Sequence, residues 1–147
     1  MQSRILAEEN GQKTYAVVME TGDEVMTCLQ DFVDQERLSA AEFSAIGAFS
    51  DAVLAYFDWE KKDYLHNSVD EQVEVASLNG DVALAPDGKR AIHIHTVLGR
   101  RDGSALAGHL KEAHVRPTLE IILTESPEHL RKRYDPQSGL VLIRPEG

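Results

Sequence analysis

The 147-residue sequence has a single cysteine, Cys28, and so no internal disulfide framework; such usage fits a reducing compartment. Long hydrophobic runs are missing too. The opening MQSRILAEEN is too polar for a signal peptide or a membrane span, so a cytoplasmic protein with no membrane partner is expected. Positive charge is scarce: 15 Lys and Arg face 25 Asp and Glu, for a net charge of −10 with histidines neutral. A chain of this charge is not drawn in bulk to a phosphate backbone. The local basic candidates are Arg100-Arg101 and Arg131-Lys132-Arg133, with solvated surface as their alternative reading. No low-complexity tract, long linker or internal repeat divides the chain. Residues 1–147 therefore read as one domain, with 1–13 as a loose polar lead-in. A phosphate loop, a dinucleotide fingerprint and a Ser-His-Asp order are also missing.

What is present centres on Arg90 to Leu110, RAIHIHTVLGRRDGSALAGHL. Ile92, Ile94 and Thr96 alternate with His93, His95 and Val97, so a strand would send His93 and His95 from one face. Gly99 and Asp102-Gly103 signal the turn of a hairpin. If that hairpin is symmetric about Asp102, His95 lies opposite His109 and three imidazoles converge. Three imidazoles from two strands suit a borderline divalent metal, zinc first, with a fourth position left open to water or a small-molecule ligand. The alternative is a set of polar residues on a solvated strand face, or histidines that bond to a neighbouring subunit. His66, His114 and His129 read as surface histidines. If the site is catalytic, Glu71, Glu74 and Glu120 are the candidate bases; no catalytic residue is assigned and no other cofactor is expected.

The rest of the chain frames this hairpin. Thr14 to Glu20 reads as a strand, and Thr21 to Glu24 as a capping box opening a helix that ends near Glu36 or Arg37. Cys28 lies beside its apolar stripe and reads as packing. Glu42 to Ala48 and Asp51 to Asp58 read as two strands with a turn at Phe49-Ser50. Tyr64 to Val69 is a further strand. Gln72 to Leu78 turns at Asn79-Gly80 into Asp81 to Ala85, and Pro86-Asp87-Gly88 turns into the histidine strand. Apolar residues on both parities of Gln72 to Ala85 suggest a sheet covered on two faces, one of them by a second subunit. Pro117 separates the Ala107 to Leu110 strand from Thr118 to Thr124. Ser126-Pro127-Glu128 opens a short charged helix, HLRKRY, before a turn at Asp135 to Gly139 and a final strand, Leu140 to Ile143.

Four stretches come in an order that resembles the PPC domain, the plants-and-prokaryotes-conserved domain. They are AIGAFSDAVLAYFDWEKKDY, EQVEVASLNGDVAL, HIHTVLGRRDGSALAGHL and VRPTLEIILTE. The resemblance spans roughly Thr14 to Ile143 and is to the bacterial stand-alone type. It implies an α+β fold: a largely antiparallel β-sheet with, on the elements above, one main helix and a short C-terminal helix. It also implies a homotrimer. His93, His95 and His109 fall on the H-x-H and GGHL-like positions of that type, with Ala107 where the first glycine often stands. Plant members carry the domain beside AT-hooks, which bind A·T-rich DNA. Here no Arg-Gly-Arg-Pro core occurs, and Arg116-Pro117 lacks the preceding Arg-Gly. Specific DNA binding is therefore not expected. The leading reading is a homotrimeric metal-binding protein. The alternatives are a DNA-associated regulator by family analogy and a trimeric protein-interaction module.

Overall fold

The computed structural model describes residues 1–126 and 129–145. Its elements are β1 (Gln2–Glu9), β2 (Gln12–Glu20), α1 (Val25–Gln35), β3 (Ala40–Asp58), β4 (Asp63–Val69), β5 (Val73–Leu84), β6 (Arg90–Gly99), β7 (Ala105–Glu125), β8 (Lys132–Tyr134) and β9 (Val141–Ile143). Among the described residues strands hold 66% and helix 8%, so the fold is mostly antiparallel β, not α+β with two helices. The pairings β3–β5, β5–β6, β6–β7 and β7–β3 return to their starting strand, so this part of the sheet closes on itself. Inside lie Phe49, Leu78, Ile94, Leu98, Leu110 and Leu119, all fully buried. α1 covers one side with Val25, Leu29, Phe32 and Val33.

Several sequence expectations are corrected by tertiary contacts. The polar lead-in contains an edge strand, β1, paired with β2. The helix is capped by Glu24, whose carboxylate accepts from the Met26 and Thr27 amides at 3.0 and 2.7 Å. Thr21 is diverted: its hydroxyl donates to the Pro117 carbonyl, while Gly22 and Asp23 bond to the backbone of Val115. No turn forms at Phe49-Ser50, because β3 runs unbroken beside β7 and bends through register shifts. Nor does β7 stop at Pro117. That residue falls in the shift between the Gly47–Leu119 and Phe49–Val115 pairs, where a missing amide removes no ladder bond from β3.

Asn79-Gly80 does not turn either; β5 continues straight through it. Gly80 is needed for space, since a Cβ there would lie 2.2 Å from the Phe43 ring and 2.7 Å from the His93 carbonyl oxygen. A bulge between Val75 and Ser77 switches the parity of β5. Val73, Val75, Leu78 and Val82 thus all point inward, and the two-faced apolar pattern is one buried face with a shift in it.

The expected C-terminal helix is absent from the described residues; Pro127 and Glu128 lie outside them. β8 and β9 form a hairpin instead, closed by Asp135, which accepts from the Ser138 amide and hydroxyl at 3.0 and 2.6 Å. The Leu84 amide donates to the Leu130 carbonyl at 2.8 Å, which ties the incoming segment to the end of β5. A six-residue helix without an apolar stripe has little to set against these bonds.

Candidate metal centre

Alternation along β6 buries Ile94, Thr96 and Leu98 and turns His93 and His95 to the other face. The Arg100–Ser104 turn, with Gly103 at φ 84°, brings β7 back so that His95 pairs directly with His109. The ring centres of His93 lie 4.9 Å from those of both His95 and His109, and the last two are 5.6 Å apart. One nitrogen of each ring lies within 4.8 Å of the others, a cluster that could hold a metal ion. The tight glycine here is Gly108, where a Cβ would meet the Ala55 carbonyl oxygen at 3.0 Å. Ala107 is exposed.

The donors suit a metal. His109 Nδ1 is buried with no hydrogen-bond partner, a nitrogen left wanting a ligand. Burial, with Lys111 and the neighbouring histidines, pushes the His109 imidazole down to about 4. Burial and then His93 lower His95 as well. Metal ligation needs neutral imidazoles, which this environment favours. His93 Nδ1 lies 3.4 Å from Asp81 Oδ2 on the paired strand β5. Burial alone would raise the Asp81 carboxyl, but His93 and Lys132 together hold it below the usual carboxylate range. A carboxylate behind a ligating histidine orients the ring and strengthens it as a donor.

The cluster opens onto a cleft of about 1010 Å³. Tyr64 stands beside His109 with ring centres 5.2 Å apart, and the C-terminal hairpin supplies the far wall through Leu140 to Ile143. Asp81, Lys132 and Tyr64 escaped the sequence reading. Asp81 was hidden by the false turn before it, and Lys132 by a segment with helical punctuation.

The carboxylates expected as bases are elsewhere. Glu71 accepts from Arg100 Nε at 2.7 Å, Glu74 pairs with Gly99, and Glu120 pairs with Val18 and Ile46 on the outer face. None lines the cleft. The other histidines also lie apart: His66 is exposed, His114 bonds Asp51 at 2.7 Å, and His129 bonds Ser39 at 2.6 Å. Of the basic candidates, Arg100 is paired with Glu71, and Lys132 is buried against Asp81. Among the described residues no helix is long and apolar enough to cross a membrane.

No curated protein matches the chain significantly. A family model does: the Plants and Prokaryotes Conserved domain, over residues 6–127. Solved structures agree. A plant- and prokaryote-conserved protein of Pyrococcus horikoshii is 31% identical, with 91% of this chain and 92% of that one covered and a TM-score of 0.83. A metal-containing protein of Archaeoglobus fulgidus is also 31% identical, with 99% of each chain covered and a TM-score of 0.83. A Bacteroides thetaiotaomicron protein, named as a candidate DNA-binding protein, is 26% identical, covers 97% of this chain and 96% of its own, and has a TM-score of 0.87. The chain belongs to the plants-and-prokaryotes-conserved domain family.

Proposed function

We propose that this protein is a homotrimer that binds one divalent metal ion per subunit, zinc first, through His93, His95 and His109. The observation that carries the reading is the convergence of three ring nitrogens, one from each histidine, within 4.8 Å. The metal-containing relative from Archaeoglobus fulgidus supports it. An all-nitrogen set of three fits zinc, which tolerates an open fourth position for water or a small molecule. Bound there, such an ion supplies Lewis acidity and lowers the pKa of a coordinated water. The chain's own part is to hold the three rings, neutral and oriented, at the end of an apolar cleft. Elemental analysis of protein purified without an affinity tag tests this. One equivalent of metal is expected in the parent and in His66→Ala, with a marked loss in each of the three ligand variants. Retention of metal by all three ligand variants sinks the site.

A second reading, association with DNA, draws on the name of the Bacteroides relative. The charge of −10 and the pairing of Arg100 and Lys132 with acids weigh against direct binding. No retention on duplex DNA is expected at physiological salt; a salt-resistant footprint by protein free of nucleic acid reverses that order.

A further inference from the structure

We infer that the cleft beside the histidines takes a small carboxylic acid with an apolar body, carboxylate at the histidine end and hydrocarbon along the C-terminal hairpin. The inference rests on the metal reading above and names the class of ligand.

Charge balance at the histidine end favours an anion. Three neutral imidazoles leave the charge of a divalent ion uncompensated. Many metal sites correct this with a carboxylate, but the two acids that line this cleft, Asp81 and Asp87, are both paired with lysines. Asp81 is held between Lys132 at 3.2 Å and His93 at 3.4 Å, so the lysine offsets its charge. Asp87, the other acid lining the cleft, sits in the β5–β6 turn with Lys89 at 3.7 Å. Lys111 adds a further cation beside the site, its ammonium 4.1 Å from the centre of the Tyr64 ring. The histidine end is thus locally positive within a protein of net charge −10, and an anion is the ligand that balances it.

The wall of the cleft favours hydrocarbon. Besides the histidines it is lined by Phe57, Pro86, Ile92, Leu140 and Leu142. A polyanion such as a nucleotide would bury charge against these side chains, whereas a hydrocarbon body gains from them. Leu140 and Leu142 lie beyond residues 6–127, the part matched by the family model, while the three histidines lie within it. The three histidines are therefore carried by the matched domain, while Lys132 and the Leu140 and Leu142 part of the apolar wall come from the C-terminal segment beyond it.

Cobalt-loaded protein, its metal content measured first, offers a visible spectrum that reports on ligands at the site. Acetate, butyrate and hexanoate are titrated beside hexanol and hexylamine. Carboxylates are expected to perturb the spectrum, with affinity rising roughly fourfold per added methylene, the ~0.8 kcal/mol of a buried CH₂. Hexylamine should leave the spectrum unchanged. Leu142→Asn, at a side chain 37% exposed and so compatible with folding, should weaken hexanoate severalfold and leave acetate as it was. Failure to take up cobalt overturns the metal reading and this inference together. Uptake of cobalt with hexanol binding as well as hexanoate, or with no dependence on chain length, overturns this inference alone.

Discussion

Lys132 of the C-terminal hairpin is buried to 8% exposure and places its ammonium 3.2 Å from Asp81 Oδ1, on the strand opposite His93. The hairpin and the histidine cluster are therefore joined through one carboxylate. Asp81→Asn removes the charge behind His93 and should weaken zinc retention about 10- to 100-fold, the usual loss when a carboxylate supporting a ligand is removed. Competition with a chromogenic chelator measures it, and an unchanged affinity would separate Asp81 from the site. Lys132→Met should destabilise the protein by about 1–3 kcal/mol, because it leaves a half-buried carboxylate with His93 alone. Urea unfolding reads that loss; a change within 0.5 kcal/mol, the ~0.5 of ordinary surface substitutions, contradicts it.

Acid should act through His109 and His95. The folded value of His109, about 4, lies below the ordinary 6.5. Between those values the unfolded chain binds more protons than the folded one, so stability falls as pH drops through the window and levels off below it. His95 shifts in the same direction and adds to the effect. Metal-free protein should therefore lose stability from about pH 6.5 toward 4, and His109→Ala should flatten that slope. Metal, which also needs the neutral rings, should be retained to a lower pH than unperturbed histidines would allow. Denaturation midpoints across this range, with and without zinc, check both statements. A parent and His109→Ala with parallel profiles would contradict the assignment.

Gly80→Ala should be among the most damaging single-methyl additions. The new Cβ would meet Phe43 at 2.2 Å and the His93 carbonyl oxygen of β6 at 2.7 Å. Overpacking of this kind destabilises by about 1–3 kcal/mol or more. Gly103→Ala is the contrast: open space surrounds it, and its φ of 84° alone should make the smaller difference. Thermal melts of the pair give the order, and a Gly103→Ala loss larger than that of Gly80→Ala reverses the argument.

The outer face of the sheet bears on assembly. Ile46 and Ile122 are 62% and 47% exposed, on adjacent strands where Ser44 pairs with Ile122 and Ile46 with Glu120. Burying the exposed remainder of each in a trimer would contribute about 1–2 kcal/mol. Ile46→Glu and Ile122→Glu together should lower the mass seen by light scattering from trimer to monomer while the fold persists. A parent that is itself monomeric at micromolar concentration ends the trimer proposal.

What the sequence determined by itself was local and periodic. The alternation of Ile92 to Val97 placed His93 and His95 on one face, and the turn residues around Asp102 set His95 opposite His109. Both follow from the two-residue period of a strand and the short span of a hairpin, which need no knowledge of the rest of the chain. The α1 boundaries were legible for the same reason, though the cap was not, because β7 takes the backbone beside Thr21.

Only the tertiary structure decided where strands continue. Asn79-Gly80 carries a turn's chemistry, yet the glycine is there to admit Phe43, and the strand runs on. The apolar residues on both parities of β5 came from one bulge, which no periodicity reveals without the partner strand. HLRKRY has the punctuation of a helix, but long-range bonds from Leu84 and the half-buried Asp81 draw it into a hairpin. The proposed ligand set was thus written in a single local element. The residues that support it, Asp81 and Lys132, stand 51 positions apart in sequence and meet only because non-local pairing outweighs the weak preferences of short segments.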